Sequence, residues 1–243
     1  MQEEKIRQLR EILDKSRNIC VFTGAGISCP SGIPDFRSAN GLYNEKTKGN
    51  FTPEQIISHS FFMRYTEDFY KFYRDKMIYE NAEPNRAHLF FAELEKKSKT
   101  VTVVTQNIDG LHQKAGSTNV LELHGSVHRN FCMECGAFYD VTAVTSCDGV
   151  PKCRCGGIIK PDVVLYEEPL NESCVENAVT AIAQADTMII IGTSLVVYPA
   201  ASYVRYFRGE NLVILNKTET SCDKNAQLAI YDDIINIVDK IRL

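Results

Sequence analysis

No apolar run in this 243-residue chain reaches the roughly 18 consecutive residues that a membrane-spanning helix requires. Residues 1–18 are rich in Glu, Lys and Arg and lack the apolar stretch of a secretory leader, so a cytoplasmic chain with no membrane partner is expected. Basic clusters are missing as well. The net charge is −4 and no long Lys/Arg run occurs, which argues against direct nucleic-acid binding, because phosphate contacts need clustered cations. Internal repeats and low-complexity tracts are absent. The nine cysteines are an odd number with no leader beside them, so a disulfide framework is not expected. What remains is ordinary globular material, 44% hydrophobic and 24% charged, enough for one large domain or one domain carrying a small insert.

Residues 1–18 read as an amphipathic helix with Ile6, Leu9, Ile12 and Leu13 on one face. Short aliphatic runs follow at Asn18–Thr23, Val101–Thr105, Val120–Leu123, Met188–Ile191 and Leu212–Leu215. They are continuous, not alternating, as parallel strands covered on both faces would be. Helical patterns at His88–Lys97 and Cys174–Ala185 lie between them, so βαβ units and an α/β sheet are expected. Phe61–Met77, dense in aromatics and charges at helical spacing, reads as part of a helical insertion. Arg129–Lys160, rich in Cys and Gly, reads as a second one.

Thr23-Gly24-Ala25-Gly26-Ile27-Ser28 comes directly after a strand, where small residues let backbone N–H groups approach a pyrophosphate. A lone GxG is weak evidence and could be a plain turn. Cys29 stands where the dehydrogenase fingerprint has its third glycine, and no strand ending in an acid follows at the usual distance. Instead Gly32-Ile33-Pro34-Asp35-Phe36-Arg37-Ser38 follows, a helix-breaking segment that reads as a flap over a ligand or as a surface loop. Thr105-Gln106-Asn107-Ile108-Asp109 ends a second strand. Its amides and acid suit polar readout of a ligand, and suit equally well an Asx turn capping the next helix. His124, before Gly125, ends a third strand. A lone His is more often structural, but a shared sheet edge makes this one a candidate general base, ahead of His59, His88, His112 and His128. Gly192-Thr193-Ser194 and Asn216 close two more strands, as turns or as ribose and phosphate contacts.

Cys132-x-x-Cys135, then 17 residues, then Cys153-x-Cys155-Gly156-Gly157 is a tetrahedral metal signature. Four thiolates fill the shell of one Zn2+ and leave no position for water, so the site is structural. A redox pair is the weaker alternative.

These motifs, with Lys160-Pro161-Asp162-Val163-Val164, occur in the order of one known family and span nearly the whole chain; the sequence resembles the sirtuins, in a compact bacterial or archaeal form. The resemblance implies a Rossmann-like parallel sheet with helices on both faces, from residues 1–36, 86–128 and 161–243. A small domain would add a helical module (37–85) and a zinc ribbon (129–160). It implies NAD-dependent protein-lysine deacylation, with NAD consumed as co-substrate and nicotinamide and O-acyl-ADP-ribose released. His124 would be the general base, with Asn107 orienting ribose and water. Ile108 and Asp109 would hold the carboxamide. Phe36 would shield the reactive carbon, and Arg37 and Gln106 would position NAD. Gly24, Ala25, Gly26, Cys29, Asp35, Gly192 and Thr193 would complete the cofactor wall. Ser194, Asn216 and Lys217 would hold the adenosine side, with Asp233 near the adenine. An acyl-lysine peptide would add as a strand between Val164-Leu165-Tyr166 and Val196-Val197-Tyr198. The chain would act as a monomer.

Three departures stand out. Cys29 replaces a common Thr, the second cysteine pair is Cys-x-Cys, and Tyr166-Glu167-Glu168 replaces a commoner Phe-Gly-Glu. In family members that remove acidic acyl groups, a Tyr-x-x-Arg pair holds the carboxylate. Here Tyr73 falls at the Arg position and Arg74 one residue later, rotated by roughly 100° on a helix. Neutral acyl chains are therefore expected to be preferred over succinyl, against the apolar surfaces of Phe72 and Tyr73. Mono-ADP-ribosyl transfer, a non-catalytic NAD- and zinc-binding protein, and an ordinary dehydrogenase are the rival readings.

Overall fold

The computed structural model describes residues 2–36, 41–44, 51–97 and 99–241. Six strands make one parallel sheet: β1 (Asn18–Thr23), β2 (Thr100–Thr105), β3 (Val120–Glu122), β7 (Thr187–Ile191), β8 (Asn211–Asn216) and β9 (Leu228–Tyr231). Their order is β3-β2-β1-β7-β8-β9, and every neighbouring pair is parallel. The chain winds outward from β1 to β3 on one side, then restarts at β7 and winds to β9 on the other. This is the Rossmann order, with its reversal between β1 and β7.

The continuous apolar runs are explained by the two cores they serve. Along β1, Ile19 and Val21 face one core while Cys20 and Phe22 face the other, and all four are buried. On the first face pack α1 (Gln2–Lys15), α5 (Arg86–Lys96) and α9 (Ile234–Ile241), through Leu9, Leu13, Phe91, Leu94, Ile237 and Ile241. On the second face lies α8 (Glu172–Gln184), whose Ala178 and Ile182 are buried, together with a 3-10 segment at Ala200–Tyr206. A fully buried Leu or Ile contributes roughly 1.5–3 kcal/mol, so these two layers dominate stability.

Between β1 and α5 the described chain forms α2 (Pro53–Ile56), α3 (His59–Arg64) and α4 (Thr66–Lys76). Ser58 caps α3 by accepting from the Phe61 N–H. Phe62, Phe69, Tyr70 and Tyr73 pack edge-on and stacked into an aromatic core. After β2 come α6 (Leu111–Lys114) and β3. A three-stranded antiparallel sheet then forms from β4 (Gly125–Cys132), β5 (Phe138–Tyr139) and β6 (Ile159–Val163), in the order β5-β4-β6, with α7 (Thr142–Thr145) between β5 and β6. β4 begins before residue 129, and β6 runs past residue 160. Gly125 opens β4 at φ +76, with no room for a side chain: a Cβ there would lie 1.8 Å from the Asp162 carbonyl oxygen. Among the described residues no helix is long and apolar enough to cross a membrane.

Candidate active site

The reversal between β1 and β7 is built from glycines. Gly26 N–H donates to the Gly192 carbonyl at 2.8 Å. A Cβ on Gly26 would stand 2.8 Å from Gly192 Cα, and one on Gly192, at φ +62, would stand 2.4 Å from the Ile27 nitrogen. Gly24 is held against the Thr193 side chain in the same way. Two loops thus interlock at the carboxyl ends of the central strands, where doubly wound sheets bind ligands. Asn85 ties this turn to the next layer. Its Oδ1 caps α5 at Ala87 N, while its Nδ2 donates to the Ile27 carbonyl and to Ser31 Oγ.

A cavity of about 230 Å³ opens beside this point, with Ala25, Phe36, Gln106, Asn107, Ile108, Asp109 and His124 in its walls. Asn107 Nδ2 donates to the Gly24 carbonyl at 3.2 Å and to Ser28 Oγ at 3.0 Å. Ser28 in turn donates to Asp109 Oδ2 at 2.6 Å, and Leu111 N–H donates to Asp109 Oδ1 at 2.9 Å. Burial pushes the Asp109 carboxyl up, and these two donors partly offset it. Gln106 Nε2 reaches the Thr23 carbonyl and Thr193 Oγ1. His124 Nδ1 lies 3.0 Å from the Gln106 carbonyl oxygen, so Nδ1 carries the proton and Nε2 keeps its lone pair. Burial lowers the His124 imidazole below its usual range, which keeps it neutral at pH 7.

The remaining cofactor candidates sort into two groups. Gly24, Gly26, Gly192 and Thr193 shape the interlocked turns but do not line the cavity. Cys29, Asp35, Asn216, Lys217 and Asp233 form a second polar group beyond them. Cys29 Sγ approaches Asp35 Oδ2 at 3.8 Å, Lys217 pairs with Asp233 at 3.1 Å, and Asn216 Nδ2 donates to the Thr193 and Thr218 carbonyls. Burial and the Asp35 carboxylate raise the Cys29 thiol above its ordinary value. Ser194 is exposed. Arg37 lies outside the described residues.

Val164, Leu165, Tyr166, Val197 and Tyr198 also line the cavity, whereas Val196 does not and is exposed. Val164 N–H is taken by the His124 carbonyl, and Tyr166 N–H by the Ile57 carbonyl. Tyr73 lines the cavity, whereas Phe72 packs into the aromatic core and does not reach it. Phe72 therefore gives no surface to a ligand there, contrary to the expectation from its neighbour: adjacent helical positions face different directions. Arg74 donates from Nε to the Val144 carbonyl at 2.8 Å and from a second nitrogen to the Gly149 carbonyl, and it too is absent from the cavity. Ser28, Ile33, Pro34 and Tyr43 also line the cavity; Ile33 and Pro34 fall in the segment read as a flap, but none of the four was given a role of its own, and Tyr43 carried no signal. Ser28 was legible only as part of a glycine turn, because its partners lie about 80 residues away.

The thiols of Cys132, Cys135, Cys153 and Cys155 lie within 4.8 Å of one another. The contacts Cys132–Cys155, Cys135–Cys153 and Cys135–Cys155 are 3.4, 3.6 and 3.5 Å. Sulfurs at about 2.3 Å from one tetrahedral Zn2+ would be roughly 3.8 Å apart, so the set fits that ion. Gly156 takes φ +92, and a Cβ on Gly157 would stand 2.8 Å from Cys132 Sγ, so both glycines are required by the tight Cys-x-Cys turn. Backbone N–H groups of Glu134 and Cys135 point at Cys132 Sγ, and Tyr139 Oη donates to Cys153 Sγ at 3.1 Å. Such donors favour thiolate over thiol. Purified protein is expected to hold about one zinc per chain. Its removal by chelation should melt the small antiparallel sheet, read as a loss of amide protection in β4–β6; intact protection after complete zinc loss would overturn the structural role.

A doubly wound parallel sheet with a polar cavity at its switch point, together with a tetrathiolate ribbon, defines an α/β protein of the class that binds ligands at the carboxyl ends of its strands. The Sir2 family model matches residues 24–199. An NAD-dependent protein deacetylase of Clostridium perfringens is 58% identical over 241 residues, covering 98% of this chain and 99% of its own. One of Staphylococcus epidermidis is 43% identical, with 99% and 98% covered. A Sir2 homologue bound to ADP-ribose superimposes with TM-score 0.88 at 34% identity, covering 96% of this chain and 94% of its own. A Sir2 protein with a p53 peptide and NAD+ gives 0.83 at 38%, with 97% and 96% covered. The chain belongs to the Sir2 family, the sirtuins.

Proposed function

We propose that the protein is an NAD-dependent protein-lysine deacylase that releases nicotinamide and O-acyl-ADP-ribose, with His124 as general base. The observation that carries this reading is the convergence of Asn107, Asp109 and the unprotonated Nε2 side of His124 on one cavity. The relatives named as NAD-dependent protein deacetylases and the Sir2 structures with peptide and NAD+ support it. NAD is a substrate here. Its nicotinamide carboxamide sits against Ile108 and Asp109, and the acyl oxygen of the peptide attacks C1′ of the ribose as nicotinamide departs. His124 Nε2 then takes the proton of a ribose hydroxyl, whose oxygen attacks the imidate carbon. Water, oriented by Asn107, completes release of free lysine. Phe36 shields the reacting carbon, and Arg37 and Gln106 position NAD. Ser194, Asn216, Lys217 and Asp233 hold the adenosine side. The glycine turn Gly24-Ala25-Gly26 meets the pyrophosphate, and Cys29, Asp35, Gly192 and Thr193 complete the cofactor wall.

The peptide adds as a strand between Val164-Leu165-Tyr166 and Val196-Val197-Tyr198. Residues 1–36, 86–128 and 161–243 act as the NAD-binding domain, with 37–85 as helical module and 129–160 as zinc ribbon; the chain works as a monomer. Incubation with NAD and an acetyl-lysine peptide tests the reading. Nicotinamide and acetyl-ADP-ribose should form together with free lysine. ADP-ribose appearing on protein side chains, with the acetyl mark retained, would overturn it.

Asp109→Asn preserves shape and removes the charged acceptor. Slower nicotinamide cleavage and weaker inhibition by nicotinamide are expected, and unchanged inhibition would move the carboxamide contact to another residue. Acyl preference follows from Arg74. With its guanidinium committed to the Val144 and Gly149 carbonyls, a succinyl carboxylate entering the cavity would be buried without that cation, at a desolvation cost of several kcal/mol. On one peptide, kcat/KM for acetyl-lysine should exceed that for succinyl-lysine by at least about tenfold. Equal rates would show that a cation reaches the acyl chain after all.

A further inference from the structure

Tyr166 and Glu167 make contacts that the commoner Phe and Gly could not. Tyr166 Oη lies 2.7 Å from Tyr43 Oη, a bond that needs a hydroxyl on residue 166. Glu167 takes φ +76, in the left-handed region that glycine enters without strain. Its carboxylate accepts from Ser60 N–H at 2.8 Å and from Ser60 Oγ at 2.5 Å. The backbone beside them is held as well. Tyr166 N–H donates to the Ile57 carbonyl, and the Tyr166 carbonyl accepts from His59 N–H. Glu168 accepts from His59 Nδ1, Lys160 Nζ and Leu165 N–H. The Tyr166 side chain therefore starts from a backbone pinned to α3 and β6, and its hydroxyl gives Tyr43 a fixed partner. From Tyr43 the contacts run on to Phe36. Their rings lie 5.4 Å apart, tilted by 55°. Tyr43 N–H donates to the Phe36 carbonyl at 2.9 Å, and Leu42 N–H to the Asp35 carbonyl at 2.8 Å. Phe36, Tyr43 and Tyr166 all line the cavity.

We propose that Tyr43 and Tyr166 are positioning residues whose mutual hydrogen bond fixes the Phe36 ring against the reacting carbon and so keeps water from it. This deepens the deacylase reading and rests on it. One hydroxyl pair joins the segment that pairs with the peptide in that reading to the ring that shields C1′. When the bond from C1′ to nicotinamide breaks, its electron pair leaves with nicotinamide, and C1′ is taken by one of two oxygens. Attack by the acyl oxygen leads to O-acyl-ADP-ribose and free lysine. Attack by water, with one proton lost to solvent, gives ADP-ribose and leaves the acyl group on the lysine. A Phe36 ring held in place excludes water and blocks the second route. Loss of either hydroxyl leaves the ring with its backbone bonds to residue 43 but without the tie to the peptide side.

The test counts nicotinamide released against lysine freed, with NAD and one acetyl-lysine peptide, in the full-length zinc-loaded protein and in Tyr166→Phe, Tyr43→Phe and the double variant. Each substitution removes a single oxygen. Nicotinamide in excess of free lysine measures capture by water. Either single variant should raise that excess by about 2- to 5-fold, the low end for a neutral hydrogen bond because both hydroxyls touch solvent. The double variant should raise it no further, since one bond is lost only once. A purely structural loss would depress both products together and leave their ratio at the wild-type value. An unchanged ratio in either single variant, or effects that multiply in the double one, overturns the proposal. If the wild type releases nicotinamide but frees no lysine, the deacylase reading fails by itself. The pair is then decided by NAD hydrolysis, which both single variants should raise alike. A wild type inert toward NAD overturns both.

Discussion

Replacing His124 by alanine is expected to lower deacylation by on the order of 10²-fold or more while NAD still binds. The expectation rests on the tautomer. The Gln106 carbonyl, 3.0 Å from Nδ1, is an acceptor only, so Nδ1 must carry the hydrogen and Nε2 is left as the basic atom on the cavity side. Burial depresses the imidazole's proton affinity, so His124 is already neutral near pH 7. A base of this kind loses its function only when it becomes protonated. The acid limb of kcat/KM should therefore lie below the ordinary imidazole value of about 6.5. His124→Ala should remove that limb together with most of the rate. Near-full turnover in His124→Ala, in protein whose NAD affinity is unchanged, would show that another group takes the ribose proton.

Much of the sheet could be read directly from residues because strands buried on both faces need no partner to reveal them. Ile189 and Ile190 are apolar whichever way they point, and so are Val103 and Val104. The cysteine quartet was readable for a similar reason: metal geometry restricts spacing within a short stretch of chain. Contacts made across long separations were not readable. Ser28 joins Asn107 to Asp109 only because β1 and β2 lie side by side. The strand β9 and helix α9 went unnoticed. β9 has four residues, and its burial comes from β8 and the sheet face, not from a run of its own. Phe72 and Tyr73 show the remaining difficulty. Adjacent helical positions diverge by roughly 100°, and which of the two reaches the cavity depends on how α4 is seated against β4 and β6.

His88 and His112 appeared among the weaker histidines, yet they lead to the largest stability effect expected of this chain. Their rings meet at 67° with centroids 4.8 Å apart, and both are buried. His88 Nδ1 accepts from Asn85 N–H, and His112 Nε2 lies 3.2 Å from Thr23 Oγ1. Thr23 Oγ1 already donates to Thr105 Oγ1, so His112 must be the donor to it. Thr105 Oγ1 also accepts from Asn107 N–H. The neutral pair thus stands behind the strand end that presents Asn107 to the cavity. Burial lowers His88 to about 4 and His112 to about 3. Their unfolded values are near 6.5, so the shifts are depressions of a cationic acid. Stability is then complete above pH 6.5. It is lost as pH falls, because the unfolded chain takes up protons that the native fold refuses. Each such proton contributes about 1.4 kcal/mol per pH unit, so the pair approaches about 2.7. His124 acts in the same direction, and Asp109, raised by burial, acts in the opposite one. Carboxylates held low in the fold, such as Glu168, add to the loss only below their ordinary value of 4.5. In the window from pH 6.5 to 4.5 the histidines therefore dominate, with Asp109 partly offsetting them. Urea titrations at steps across it should show a fall of several kcal/mol, comparable with the whole stability of a typical domain. His112→Gln, whatever its stability at pH 7, should lose roughly half of the slope. A wild-type stability that stays flat between pH 6.5 and 4.5 would mean that water or a shifted ring already satisfies the protonated pair.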